Sequence, residues 1–140
     1  MRFVLLAAAS ALVLTACNEP TSSELAGRWE VQQIAGASLG EGIDAWIEFD
    51  RSGEAVTGFT GCNGFTTTVV GFETGIAFAP VREEAGECPS EAAATDEARL
   101  LGVLPSVQRY IRNGRSLELL AAARGSETLI RLRLVDERAG

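Results

Sequence analysis

Three cysteines, Cys17, Cys62 and Cys88, carry the thiol chemistry of this 140-residue sequence, which has twelve arginines but no histidine and no lysine. Chemistry that needs an imidazole, a Schiff-base amine or a lysine general base is therefore excluded. Two cysteines without a histidine or a second Cys-x-x-C pair make a poor zinc site. Cys62 and Cys88 are left as a disulfide, as free thiols or as a catalytic thiol.

Four acidic residues form the densest group of carboxylates: Glu83, Glu84, Glu87 and Glu91. A pair of carboxylates can cleave glycosides, and a carboxylate cluster can bind calcium. This run lacks the Asp-x-Asp-x-Asp-Gly spacing of a calcium loop, and no motif fixes two of its acids at a defined geometry. The pattern favours a solvated acidic surface, with no metal and no cofactor.

Three glycines lie close to Cys62 in the sequence: Gly58, Gly61 and Gly64. Such glycines occur where a chain bends tightly or approaches another backbone, and Asn63 with Gly64 tolerates a left-handed conformation. Asn63 and nearby N–H groups could also form an oxyanion pocket, but the chain supplies no matching nucleophile and base. We predict a structural motif in which Cys62 fixes the bend.

The two tryptophans are the candidates for stacking on a ligand. Trp29 lies on the apolar face of an alternating segment, which is typical of a core residue. Trp46 lies on the polar side of its segment and is the better candidate for an exposed contact.

The first sixteen residues predict a targeting segment. Arg2 precedes an apolar run of about fourteen residues, too short for a membrane-spanning helix, which needs about twenty. The run ends in Leu14-Thr15-Ala16-Cys17, which resembles the lipobox of bacterial lipoproteins. That resemblance implies a lipid on Cys17. The alternatives are cleavage by the general signal peptidase, for which Leu14 is too large, and Cys17 as a plain apolar residue of a membrane anchor.

The residue after Cys17 indicates the membrane to which a lipoprotein is sorted. In enterobacterial sorting an aspartate there retains a lipoprotein in the inner membrane, and here the residue is Asn18. The sequence thus predicts a lipid anchor in the outer membrane, facing the periplasm, with 17–24 as a polar tether. In this oxidising compartment Cys62 and Cys88 are predicted to pair, closing a loop worth about 3.5 kcal/mol.

Composition and charge limit the remaining classes. With 46% apolar and 22% charged residues, the chain has the composition of one globular domain. Its net charge of −7 has the wrong sign for binding nucleic acid. Basic charge gathers near the C-terminus, which could orient the domain on an anionic membrane, select a partner or form paired surface charge. These arginines are Arg109, Arg112, Arg115, Arg124, Arg131 and Arg133.

Alternating apolar and polar residues predict a mostly β protein with one helix. The predicted strands span 27–34, 45–50, 54–59, 65–72, 76–81, 107–112, 116–122 and 128–135. Asn113 and Gly114 predict a hairpin turn. A helix is predicted over 90–104, with Asp96 and Glu97 favouring its start and Pro105 ending it. Its predicted apolar face consists of Ala94, Ala98, Leu101 and Leu104.

Several motifs together resemble the META domain, the HslJ-like family of bacterial envelope proteins. They are Leu25-Ala-Gly-Arg-Trp29, Ile47-x-Phe49, Gly58-Phe-Thr-Gly-Cys-Asn-Gly-Phe65, Leu100-Leu101-x-x-Leu104 and Gly114-x-x-Leu117-x-Leu119, with Cys88 at a matching distance. The resemblance implies an α+β fold in which a curved, half-barrel-like antiparallel sheet of about seven to eight strands wraps one helix. The domain would cover 25–136, with 137–140 as a tail.

The resemblance also implies a location in the bacterial envelope and an association with stress tolerance, and the residues favour a function without catalysis. We expect an outer-membrane lipoprotein that supports envelope integrity or stress tolerance through binding, with a periplasmic or outer-membrane protein as a possible partner. One alternative is a pilot-like chaperone that holds a peptide or lipid tail in an apolar groove beside the helix. Another is a carboxylate-dependent hydrolase. The ligand and the oligomeric state are left open.

Overall fold

The computed structural model describes residues 22–71, 75–122 and 127–136. The predicted signal segment, Cys17, Asn18 and the tail 137–140 lie outside these residues, as does Arg124. The strands are β1 (Gly27–Ile34), β2 (Ala37–Ser38), β3 (Trp46–Phe49), β4 (Ala55–Phe59), β5 (Gly64–Val70), β6 (Ala77–Phe78), β7 (Arg82–Glu83), β8 (Arg109–Asn113), β9 (Ser116–Leu120) and β10 (Thr128–Asp136). The helix α1 spans Glu91–Val103, and 3₁₀ helices span Ser22–Leu25 and Leu104–Ser106.

The strands form one antiparallel sheet in the order β6-β5-β4-β3-β1-β10-β9-β8, with β2 paired to β1 and β7 to β5. The sheet is open, although the N–H of Ile76, next to β6, donates to the carbonyl oxygen of Gln108, next to β8, at 3.1 Å. The predicted α+β class is therefore confirmed. The strand count is higher than predicted because β2 and β7 have only two residues each, too few to show alternation. The strand predicted over 76–81 is present but shorter, as the two residues of β6.

The inner face of the sheet carries the core. Alternation along β1 buries Trp29 and Val31, and after a register shift between Val31 and Gln33 the buried residue is Ile34. The facing strands add Ile47, Phe49 and Phe65, and the second half of the sheet adds leucines and isoleucines. The alternating segments were predicted from this same periodicity, because one face of each strand is buried and the other is solvated.

The helix begins where predicted but buries a different face. Ser90 caps it, its Oγ accepting the N–H of Ala93 at 3.1 Å. Ala93, Asp96 and Leu100 are buried, whereas Ala94 and Ala98 are exposed and Leu101 is half-buried. The predicted apolar face is confirmed at Leu104, which is buried, and in part at Leu101, which packs against the core, and it was wrong at Ala94 and Ala98. The error arises because the true face includes a charged residue, which a hydrophobic pattern cannot reveal.

The sheet has two distinct ends. At the helix end, α1 packs beside the loops 35–45 and 60–63, to which it is hydrogen-bonded. At the N-terminal end lie the 3₁₀ helix Ser22–Leu25 and the turns 50–54 and 113–115. The predicted tether thus overlaps an ordered 3₁₀ helix at 22–24. Among the described residues, no helix combines the length and apolar character needed to cross a membrane.

Candidate functional site

The two predicted partner cysteines are bonded to each other at the helix end. Cys62, in the loop between β4 and β5, forms a disulfide with Cys88, which lies just before the cap of α1. Their Cα atoms are 4.7 Å apart. The predicted disulfide is confirmed, and it ties the loop of the glycine motif to the start of the helix.

A carboxylate from the helix completes this motif. Glu97 accepts a hydrogen bond from Thr60 Oγ1 at 2.6 Å and from Asn63 Nδ2 at 3.1 and 3.2 Å. Thr60 is 1% exposed, and its Oγ1 accepts the backbone N–H groups of Cys62 and Asn63 at 3.1 and 2.9 Å. Thr60, Cys62, Asn63, Cys88 and Glu97 therefore form one connected cluster, which we call the Glu97 cluster.

The polar groups of the Glu97 cluster are directed inward. The Asn63 amide donates to Glu97 and also to Cys62 Sγ at 3.1 Å, and the N–H groups of Cys62 and Asn63 are directed at Thr60. The groups that would have formed an oxyanion pocket thus bind other groups of the protein. Glu97 and the disulfide together hold the loop 60–63 against the start of the helix.

The Glu97 cluster also contains the one group of metal-ligand type found among the described residues. Cys62 Sγ, Cys88 Sγ and a Glu97 oxygen lie within 4.8 Å of one another, with Cys88 Sγ 3.9 Å from Glu97 Oε1. The two sulfurs are bonded to each other in the disulfide, so neither is available as a thiolate ligand. The disulfide and the hydrogen bonds of Glu97 attach the start of the helix to the loop between β4 and β5.

We expect Glu97→Ala to lower the free energy of unfolding by about 2 kcal/mol, because it leaves the Thr60 hydroxyl and the Asn63 amide without their acceptor. Glu97→Gln keeps an acceptor oxygen and should cost less than about 1 kcal/mol. Urea unfolding followed by tryptophan fluorescence measures both. Thr95→Ala, at an exposed position of the same helix, is the control and should change stability by less than about 0.5 kcal/mol. Equal losses for Glu97→Ala and Thr95→Ala would contradict the prediction.

The motif glycines make close approaches. A Cβ at Gly58 would strike the ring of Phe65, and one at Gly64 would stand 2.6 Å from a carboxylate oxygen of Glu84. Gly61 has φ of +94° and faces Ile43. The prediction of close approach is confirmed, whereas the left-handed residue is Gly61 and neither Asn63 nor Gly64.

Gly58→Ala should destabilise the protein by about 1–3 kcal/mol, because the Phe65 ring is 2% exposed and has no space to move into. Gly102→Ala is the matched control, since a Cβ there meets nothing within 4 Å and alanine favours a helix over glycine by about 1 kcal/mol. Thermal or urea unfolding should therefore shift in opposite directions for the two variants. A neutral Gly58→Ala would show that the close approach has no energetic weight.

A second helix carboxylate fixes the loop after β1. Asp96, which is 3% exposed, accepts the N–H of Gly40 at 2.7 Å and pairs with Arg99 at 2.8 Å. Arg99 also donates to the carbonyl oxygen of Ile34 at 2.6 Å. Sequence reasoning placed Asp96 and Glu97 at the helix start and missed that both point toward the sheet. A charged residue amid alanines one turn from Leu100 was the only local signal.

The predicted acidic cluster is dispersed on the surface. Glu83 lies on β7, Glu84 lies over Gly64, Glu87 lies before the disulfide and Glu91 begins the helix. All four side chains are exposed. Their placement agrees with the solvated surface that the sequence favoured.

The outer face of the sheet carries a groove of about 450 Å³. Trp46 and Phe59 are cross-strand neighbours along it, and the groove continues past Thr57, Gly64 and Glu84. Trp46 is half-buried, with the Arg28 guanidinium 4.0 Å from its ring centre. Trp29 is 0% exposed, as predicted for a core residue. The Glu84 carboxylate lies over Gly64 and lines the groove opposite the aromatic rings.

Most of the C-terminal arginines are used within the sheet. Arg131 pairs with Glu118 at 2.9 Å and Arg133 with Glu30 at 2.7 Å. Arg115 donates to the carbonyl oxygen of Leu134 at 2.6 Å, and Arg112 to that of Glu24. For Arg131 and Arg133 the geometry agrees with paired surface charge, one of the three readings left open.

Fold, disulfide and motif agree with one family. The model of the META domain matches residues 23–135. The chain belongs to the META domain family. No curated protein matches the chain. Within this META domain lie the predicted motif residues Trp29, Gly58, Gly61, Asn63 and Gly64, together with both bonded cysteines.

Two proteins with structures determined by NMR are similar to this META domain in fold. One, from Burkholderia xenovorans, is 14% identical with a TM-score of 0.64, and the match covers 95% of this chain and 99% of that one. The other is 13% identical with a TM-score of 0.64, covering 85% and 98% of the two chains. At this identity the likeness concerns the fold alone.

Proposed function

We propose that this META domain protein is anchored by a lipid on Cys17 in the bacterial outer membrane, facing the periplasm, and that it acts by binding rather than by catalysis. Its role would be to support envelope integrity or stress tolerance. The anchor is supported by Leu14-Thr15-Ala16-Cys17 and by Asn18. An intrachain disulfide agrees with an oxidising compartment.

The observation that carries the binding proposal is that the polar groups of the Glu97 cluster hydrogen-bond to one another. Asn63, Thr60 and Glu97 bind one another and the loop backbone. With no histidine and no lysine in the chain, nucleophilic catalysis lacks the usual bases. We assign contact to the outer-face groove instead, because Trp46 and Phe59 offer aromatic surface beside exposed Thr57 and Glu84.

The two alternatives have less support. The pilot-like chaperone requires an apolar groove beside the helix, but the outer-face groove is lined by strand and loop residues, and Ala93 and Leu100 of the helix are buried. The hydrolase requires two carboxylates converging on one bond. Glu83 and Glu84 are adjacent in sequence, and both are exposed.

Intact mass of the protein purified from its host membranes tests the anchor. We expect a chain that begins at Cys17 and carries acyl mass, and Cys17→Ala should abolish that mass. Cys62 and Cys88 should react with an alkylating reagent only after reduction. An unmodified chain with free thiols would overturn both the anchor and the compartment.

Crosslinking in the native host tests the groove. A photoreactive residue at Thr57, inside the groove, should capture a defined adduct that the same residue at Thr95, on the exposed helix surface, does not capture. Trp46→Ala should weaken that adduct without changing the amount of protein. Equal capture from Thr57 and Thr95 would place the contact elsewhere.

A further inference from the structure

The first described residues are fastened to the N-terminal end of the sheet. Leu25 is 0% exposed and its carbonyl oxygen accepts Trp29 Nε1–H at 2.7 Å. Glu24 receives Arg112 on its carbonyl oxygen and the Tyr110 hydroxyl on its carboxylate, the latter at 3.4 Å. Burial, followed by the charge of Glu24, raises the pKa of Tyr110, so the hydroxyl stays protonated as a donor at neutral pH. The chain therefore leaves the domain at a fixed place.

That place is the turn between β3 and β4. Gly53, with φ of +74°, lies so close to the carbonyl oxygen of Ser22 that a Cβ at this position would overlap it. Only five peptide units separate Ser22 from Cys17. Even fully extended, they span at most about 18 Å. A lipid on Cys17 would thus hold the turn 50–54 close to the membrane surface.

The helix end lies on the opposite side of the domain. β1 runs from the N-terminal end to the helix end over eight residues, which corresponds to about 26 Å. The segment from Cys17 to Ser22 is shorter than β1. The helix end can therefore reach the membrane only if the whole domain turns over. The tether therefore biases which face meets the lipid.

The exposed charged residues also differ between the two ends of the domain. The helix end carries a series of exposed carboxylates: Glu41, Asp44, Glu84, Glu87 and Glu91. At the N-terminal end, exposed Arg51 and Arg115 stand in the two turns. An anionic bilayer repels the first end and attracts arginines within about one Debye length, about 8 Å at physiological salt.

Two carboxylates of the N-terminal end, those of Asp50 and Glu24, accept hydrogen bonds within the domain. Asp50 accepts the Ser52 hydroxyl at 2.7 Å and the N–H of Glu54 at 3.0 Å, and these donors hold its pKa below the ordinary value. Glu24 binds Tyr110. Glu54 is exposed. Arg51 is exposed at the tip of its turn, where its side chain is the group that can reach outward to lipid.

We propose that the N-terminal end of the domain is a membrane-contact surface, on which Arg51 meets the phosphates of anionic phospholipids while the helix end and the Trp46 groove face the aqueous side. The proposal rests on the lipid anchor of the proposed function. It gives the groove, whose aromatic residues lie at the ends of β3 and β4 nearest the helix end, free access to a partner in the aqueous compartment.

The test uses the mature chain coupled through the Cys17 thiol to a maleimide lipid, while Cys62 and Cys88 stay in their disulfide. A fluorophore is placed through an azide-bearing amino acid at Ser52 or, as the opposite end, at Glu87. Vesicles contain phosphatidylcholine with about 30 mol% phosphatidylglycerol and a headgroup-level quencher. We expect quenching at Ser52 to exceed that at Glu87 by at least about threefold.

Charge reversal separates the contact from the tether. Arg51→Glu should reduce quenching at Ser52 by about twofold to threefold on anionic vesicles and leave it unchanged on phosphatidylcholine alone. Arg82→Glu is the matched control, an exposed arginine separated from the turn by β4 and β5, and should have no effect. Equal quenching at Ser52 and Glu87 would overturn the orientation, and insensitivity to Arg51→Glu would overturn the arginine contact. Because coupling replaces natural acylation, these failures are distinct from a missing acyl mass, which counts against the anchor.

Discussion

Trp29→Ala is expected to lower the free energy of unfolding by about 3–5 kcal/mol, the range for deleting a buried tryptophan side chain. The side chain is fully buried, its Nε1–H satisfies the carbonyl oxygen of Leu25 at 2.7 Å, and the Arg112 guanidinium lies 5.2 Å from its ring centre. The substitution therefore opens a cavity and also releases the 3₁₀ helix Ser22–Leu25. Urea unfolding monitored by circular dichroism measures the loss.

Two further variants separate the contributions. Trp46→Ala removes the same type of residue from the outer face, where it is half-buried, and should cost about 1 kcal/mol or less. Trp29→Phe keeps most of the apolar volume but loses the hydrogen bond, so its cost should lie between those of the two alanine variants. If both alanine variants lost the same amount, the assignment of Trp29 to the core and Trp46 to the surface would be wrong.

Removing the disulfide should have an effect of similar size. Cys62 and Cys88 are 26 residues apart in sequence, and loop-closure entropy for a ring of that length corresponds to about 3.5 kcal/mol. The double variant Cys62→Ala/Cys88→Ala avoids a lone thiol. Its urea midpoint should fall accordingly, with the slope against urea changed little if the unfolded state exposes the same surface.

Reductant provides the control for the disulfide. Added to the unmodified protein, it should bring the unfolding curve close to that of the double variant, and it should leave the double variant unchanged. We also expect Glu97→Ala and the disulfide deletion to be non-additive, because both loosen the same loop and helix start. Strict additivity would mean that the disulfide and the carboxylate act on independent parts of the structure.

The two ends of the sheet differ in structure. At the helix end, Asp96 and Glu97 with the disulfide hold three segments together: the loop after β1, the loop after β4 and the start of α1. At the other end, the chain leaves beside the turn that carries Arg51. Under the proposed function, this arrangement would present the groove at a set distance from the membrane.

Much of the fold could be predicted from local sequence. Trp29 was assigned to the core from alternation, and the end of the helix followed from Pro105. The hairpin predicted at Asn113 and Gly114 is present, but its turn is one residue further on: Asn113 ends β8 and pairs with Ser116, and Gly114, with φ of +58°, begins the turn. The pairing of Cys62 with Cys88 followed from the count of cysteines once the third was assigned to lipid.

The sequence by itself thus determined the strands, the approximate limits of the helix, the family and the disulfide, since each depends on nearby residues or on a count. Tertiary structure alone decided which face of the helix is buried, because the partners of Asp96 and Glu97 lie 56 and 34–37 residues away. It also decided the left-handed residue at Gly61 and the two-residue strands. These features arise from contacts between distant segments, and such contacts leave no periodic signal within either segment.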